Sequence, residues 1–214
     1  MSVTIAEEIL LLAFGEDDGR QLLSAIQLDP AVAGALLAEL ALGERIALRD
    51  KKVTVLDPAP MGDDELDGAL ARIAGSPKER KPAWWVQQLQ SGKLRTRLLT
   101  RLAGAGVLAE ERVRVFGIFR TTRWPELDGA VEARVRERVA AALGGAEPDP
   151  RTAVLIAVMH AAKLDRKAFP GADKERVKQI ASGAWEAEAV AQTIAAINAG
   201  ISIAVTTAAI TASS

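Results

Sequence analysis

The segment Lys93–Asp128, KLRTRLLTRLAGAGVLAEERVRVFGIFRTTRWPELD, decides how the rest of the chain is read. Leu94, Leu98 and Leu102 recur every four residues, while Lys93, Arg97 and Arg101 form a parallel row on the neighbouring face. That spacing predicts a half-buried amphipathic helix. Gly104 and Gly106 supply its end, because glycine accepts the left-handed backbone that follows a last helical turn. Beyond them Val113, Val115 and the run from Phe116 to Phe119 are rich in β-branched and aromatic residues, and Pro125 closes the run. Gly117 suits a hairpin turn or bulge. The order is therefore basic helix, glycine stop, hairpin.

Arg95 breaks the pattern. At about 100° per residue it falls between Leu99 and Leu102, on the side that should be apolar. A first-turn arginine in that position either escapes over the helix end to water or reaches an anion, which free backbone N–H groups and the helix macrodipole already favour. Both readings stand at this point.

The chain has 214 residues, enough for one domain with a core that needs no staples. It contains no cysteine and no tyrosine, which excludes disulfides, thiolate metal sites and cysteine nucleophiles. No cofactor and no metal are expected. The net charge is −1, so the chain carries no global polyanion-binding signature, yet the charge is uneven. From Pro77 to Arg101 seven basic residues (Lys78, Arg80, Lys81, Lys93, Arg95, Arg97, Arg101) face one acid, Glu79. Just before, Asp57, Asp63, Asp64, Glu65 and Asp67 occur with no base between Asp57 and Leu70. Two such patches would steer an anionic surface to one side of the molecule, unless each is simply a solvated face.

Ile9 to Phe14 follows Glu7 and Glu8 rather than a basic start, so no signal peptide is expected. Thr193 to Ser214 carries no charge, but Asn198, Ser202, Thr206, Thr207 and Thr211 leave it only mildly hydrophobic. A packed terminal helix with a loose end is the expectation, with a domain over 1–199 and an apolar tail over 200–214.

Elsewhere the signals are mostly helical. Thr4 and Glu7 form a capping box ahead of Ile5, Ile9, Leu10 and Phe14. Asp29 and Pro30 predict an N-cap and first helical residue, and Gly43 a stop, for a helix Ala31 to Leu42 apolar nearly all round and hence central. Residues Arg45 to Leu56 read as two short strands around a charged turn. Further helices are expected over Asp64–Ala74, from Trp84 to Ser91, from Asp128 with Val131, Val135 and Val139 inward, after Asp149–Pro150, over Asp173–Ser182 and over Trp185–Asn198. The fold class is mainly α: a single globular domain of about nine helices and four strands in small hairpins, one of which, about 113–123, is free to protrude. Of the adjacent Trp84 and Trp85, one must point away from whatever buries the other, and packing on this same fold is expected for it.

Nothing favours catalysis. His160, the only histidine, lies in an apolar stretch and reads as a satisfied core residue. No P-loop or G-x-S-x-G motif is present.

The order of motifs resembles the Golgi phosphoprotein 3 family. The residues that carry the likeness are EEILLLAF (Glu7–Phe14), AELALGERIAL (Ala38–Leu48), LRTRLLTRLAGAGVL (Leu94–Leu108), FGIFRTTRWPELD (Phe116–Asp128), VLIAVMHAAKL (Val154–Leu164) and ERVKQI (Glu175–Ile180). They span about Val3 to Asn198. An alanine- and arginine-rich composition with few lysines points to a bacterial relative.

The resemblance implies a non-enzymatic, mostly helical module, cytoplasmic and peripheral on a membrane, that binds phosphatidylinositol 4-phosphate through a basic face and serves as an adaptor for membrane-protein tails. It also implies headgroup positions. Only Arg95 matches; the family's tryptophan position falls on Ser24, its first arginine on Ala33 and the earlier member of its arginine pair on Gly92. Lys93 and Arg97 are the neighbouring basic residues able to substitute in part, giving attraction to anionic phospholipid at about 1 kcal/mol each. In the family the hairpin serves self-association, which here would fall to Val115, Phe116, Ile118 and Phe119 and yield a homo-oligomer, unless that ribbon packs on its own domain.

Two other functions compete. Trp84–Ser91, Lys93–Ala105 and the following hairpin also follow the helix, helix, wing order of winged-helix DNA-binding proteins, with Arg97 and Arg101 available for phosphates, although nucleic acid is the less favoured partner. A scaffold that binds protein tails and no polyanion is the third.

Overall fold

Thr4 opens the first helix with a closed capping box: its backbone N–H donates to Glu7 Oε2 at 2.7 Å, while its hydroxyl oxygen accepts from the Glu7 N–H at 3.2 Å. In the computed structural model, which describes residues 3–15, 19–115, 119–182 and 188–212, this helix is α1, Ile5–Leu12, and every one of its residues is buried. Its surroundings are α2 (Ala25–Leu42), α5 (Gly92–Gly104), α6 (Ala130–Leu143) and α7 (Pro150–Ala162).

The central helix α2 begins earlier than its proline suggests. Ser24 is the N-cap, with its carbonyl accepting from Gln27 and Leu28, and Pro30 lies inside the helix. A proline this near the start forfeits only the bond to the carbonyl one turn back, so the extra turn Ala25–Asp29 survives. Asp29 is thereby released from the capping role expected of it. Gly43 does end the helix, and residues 31–41 are buried throughout, as its all-round apolarity demands.

The strands β1 (Ile46–Arg49) and β2 (Lys52–Val55) pair antiparallel around Asp50 and Lys51, both at positive φ, the geometry of a two-residue hairpin turn matched to strand twist. Helix α3 (Asp64–Ala74) is capped by Asp63, whose carboxylate accepts from the Glu65 and Leu66 N–H groups. In α4 (Pro82–Leu89) Trp85 is buried and Trp84 is 38% exposed. Trp84 packs edge-on against Trp85 at 4.8 Å and lies under the Arg80 guanidinium at 5.2 Å, so it rests on its own fold.

The second hairpin joins β3 (Glu111–Val115) to β4 (Phe119–Arg123), with Val115 opposite Phe119. Phe116 and Ile118, the other two residues of the expected self-association ribbon, lie outside the described residues. In α6 Val131, Val135 and Val139 are buried as expected, and Arg136 Nη2 meets Glu132 Oε1 at 2.7 Å across one turn. Helix α7 is capped by Asp149, and α8 (Asp165–Ala168), α9 (Lys174–Ala181) and α10 (Glu188–Ala212) follow. Among the described residues there are ten helices and four strands; the helix that the sequence hid is the four-residue α8.

Helix α10 runs without a break past residue 199, and Gly200, Ile201, Ala204 and Val205 are buried. A Cβ at Gly200 would stand 2.9 Å from the Ala83 backbone, so α4 and α10 touch closely there. Among the described residues two helices are long and apolar enough to cross a membrane; the window in α2 is 72% buried and that in α10 39% buried.

Candidate functional site

The site starts from one glycine. After α1 the chain reverses, with Phe14 bridged to Gln21, Leu22 N donating to Ala13 O at 2.8 Å and Gly15 N to Arg20 O at 2.9 Å. Gly19 has φ +58, and a Cβ there would sit 2.3 Å from Pro125 N and 2.5 Å from Trp124 C. No side chain fits, so Gly19 lies flat against the chain just past β4, and Arg20 lines the same groove as Arg123.

That groove has a volume of about 630 Å³. Its third wall is the start of α5, contributing Arg95 and Thr96, and the buried Phe14, Leu99 and Trp124 line its interior. Arg20, Arg95 and Arg123, with Thr96, Thr121 and Thr122, border it, and among the described residues Glu110 is the one carboxylate in its lining. Such a lining can take a polyhydroxylated anion by charge-assisted and hydroxyl hydrogen bonds.

Arg95 is not idle in this setting. Its Nη1 pairs with Asp29 Oδ1. Burial pushes the Asp29 carboxyl up, and the Arg95 charge offsets this only in part. The first-turn arginine therefore neither escapes to water nor stands unpaired: it holds a carboxylate at the groove's edge.

Lys93 and Arg97 point elsewhere. Two residues from Arg95 on either side, they sit on another face of α5 and line a separate hollow of about 280 Å³ with Glu65, Arg72 and Gln88. Arg97 grips Glu65 through two nitrogens, Nη2 to Oε2 at 2.7 Å, and that hydrogen bonding raises its pKa. The expected trio of Arg95, Lys93 and Arg97 around one hollow is thus not what the fold brings together. Arg101 is more deeply used: Nε donates to Glu7 Oε1 and Nη1 to Asp63 Oδ2, both at 2.7 Å. Burial disfavours its charge, but the two carboxylates more than compensate and raise its pKa.

The two charge patches meet in part. Of the acidic run, Asp57 pairs with Arg45, Asp63 with Arg101 and Glu65 with Arg97, while Asp67 accepts from the N–H groups of Met61 and Gly62. Two pairs, Arg97–Glu65 and Arg101–Asp63, thus join the acidic run to the α5 end of the basic one.

The headgroup positions implied by the resemblance divide. Gly92 adjoins Arg95, with a Cβ there at 3.5 Å from the Arg95 Nη2. Ser24 is exposed and donates its hydroxyl to Gln27 Oε1 at 3.1 Å. Ala33 is fully buried in α2, so in this chain that position faces the core and no ligand. His160 differs from expectation too: its side chain is 33% exposed and its Nδ1 lies 2.9 Å from Asp165 Oδ2.

Arg20 and Arg123 were absent from the sequence-derived site. Arg123 sits within the FRTTRWPELD motif, a signal that was available; Arg20 had none, since only the folding of Gly19 onto Pro125 brings it to the groove. A sequence model of the family described as Golgi phosphoprotein 3 (GPP34) matches residues 5–197, a span that takes in the Arg20 loop, α5 and both hairpins. With that match over most of its length, the chain belongs to the Golgi phosphoprotein 3 family.

Proposed function

We propose that the chain is a non-enzymatic peripheral membrane module, acting from the cytoplasmic face, that seats phosphatidylinositol 4-phosphate or another anionic phospholipid headgroup in the groove between the Arg20 loop, α5 and β4. The observation that carries the reading is the convergence of Arg20, Arg95 and Arg123 on one groove with three threonines and, among the described residues, one glutamate. Each charge-assisted contact to a phosphate contributes roughly 1.5–3 kcal/mol, so two suffice for a specific attachment on top of general attraction to an anionic surface. An adaptor role toward membrane-protein tails, and self-association through the 113–123 hairpin, complete the proposal.

A second reading rests on a specific observation. Arg95, Arg97 and Arg101 each hold a carboxylate, as expected of a helix whose charges serve the fold and of a scaffold that binds no polyanion. The same pairs occupy Arg97 and Arg101, the residues a winged-helix DNA complex would turn to phosphates.

Cosedimentation with vesicles of neutral lipid alone, or neutral lipid with phosphatidylserine or phosphatidylinositol 4-phosphate, separates these. The lipid reading expects pelleting with the anionic vesicles only, and its loss in Arg123→Glu and Arg95→Glu. Equal supernatant fractions for every vesicle and variant would leave the scaffold.

A further inference from the structure

A different hollow, about 190 Å³, opens where α7, α8 and α9 meet. The backbone builds it. Lys163 caps α7 in the left-handed region at φ 63, the Leu164 N–H donates to Met159 O at 2.8 Å, and the chain doubles back so that Asp165 reaches His160. Asp165 is 8% exposed; its Oδ2 lies 2.9 Å from His160 Nδ1, and its Oδ1 is buried with no partner. A buried carboxylate oxygen left unmet is costly, and Leu164, Val177 and Ile180 already fill the adjoining core. The contact the carboxylate does make holds the imidazole in place at the wall of the hollow.

The rest of the lining is complementary to an anion with a hydrocarbon body. Phe169, Pro170 and Val177 give it an apolar side. Arg166 and Lys174, both exposed, stand at its mouth with Lys178, whose Nζ is shared with Glu175 at 2.7 Å. The volume falls below the roughly 300–1,000 Å³ of pockets for drug-sized ligands, which limits the occupant to a fragment. Asp165 on the inner wall disfavours a second negative charge.

We propose that this hollow binds a small organic monoanion, an aryl or short-chain carboxylate, with its hydrocarbon against Phe169 and Val177 and its carboxylate between Lys174 and Arg166. The site shares no residue with the groove of Arg20, Arg95 and Arg123 and stands or falls independently of lipid binding.

The test is an amide NMR titration of the full chain with benzoate and with its neutral isostere, benzamide. Benzoate is expected to give saturable shifts centred on Phe169, Ala172 and Val177, with benzamide clearly weaker. Lys174→Gln, an exposed substitution that leaves the core untouched, is expected to weaken benzoate about two- to fivefold and leave benzamide unchanged; Arg166→Gln, also exposed, is expected to act in the same direction. Equal affinity for the two probes, shifts scattered away from α8 and α9, or no response to Lys174→Gln would overturn the proposal.

Discussion

Arg95 and Asp29, 66 residues apart in the chain, form an ion pair in which each side chain is 19% exposed. Asp29 thus occupies one side of a guanidinium that borders the groove, where a bound phosphate would compete with it. Asp29→Asn is expected to strengthen binding to anionic vesicles by roughly two- to fivefold, the range of a partly exposed pair. Because burial raises the Asp29 carboxyl, it protonates at a higher pH than an ordinary aspartate, so the clamp loosens early on acidification. Vesicle cosedimentation as the pH is lowered is expected to gain more for the wild type than for Asp29→Asn; parallel profiles would remove Asp29 from the account.

Arg101 ties α5 to α1 and to the α3 N-cap through Glu7, itself 1% exposed, and Asp63. Arg101→Gln leaves one oxygen of a buried carboxylate without its cation. The expected cost is about 3 kcal/mol or more, read as the shift in urea midpoint at constant slope.

Adjacent glutamates on α1 are expected to respond in opposite ways. Glu7 uses both oxygens, one on Thr4 and one on Arg101, so Glu7→Gln should cost about 2–3 kcal/mol. Glu8 lies between Arg151 and Arg138 with Oε2 unmet, and burial raises its carboxyl despite those cations. A raised carboxyl penalises the ionised form: the penalty is absent below the ordinary value of 4.5 and sets in as pH rises through the folded-state value. Glu8→Gln is therefore expected to be neutral or stabilising by up to about 1 kcal/mol at pH 7, with the difference vanishing below the ordinary range. Thermal melts of both variants across pH check this.

Gly19→Ala places a methyl inside the Trp124–Pro125 backbone at a positive φ. The loop must lift from β4, and a loss of about 2 kcal/mol or more is expected, together with weaker vesicle binding as Arg20 leaves the groove. Gly106→Ala makes the control: φ there is +75 but nothing stands within 4 Å, so only the backbone cost of about 1 kcal/mol applies.

What could be read from the sequence was whatever depends on near neighbours. The Thr4–Glu7 box, the Glu132–Arg136 pair, the α5 rows and the β1–β2 hairpin are all settled within a few residues, and all are present. Asp29–Pro30 misled because the local signature of a helix start is real, while the turn before it is sustained by the Ser24 carbonyl. The groove was illegible for a different reason: Gly19, Arg95 and Arg123 come from three segments that meet only in the folded chain. The spacing did isolate Arg95 from Lys93 and Arg97, but its partner lay 66 residues away in sequence.

The interleaving of the 57–67 carboxylates with the α5 arginines has a kinetic consequence. Opposite charges a few ångströms apart cancel well inside the screening distance of about 8 Å at physiological ionic strength, so little field extends into solvent from that side. That side therefore adds little steering, and salt-dependent attraction to a charged bilayer would have to come from the groove of Arg20, Arg95 and Arg123. Under the proposed lipid reading, how long a headgroup holds Arg95 against its rival Asp29 would then set how strongly one bilayer is preferred to another.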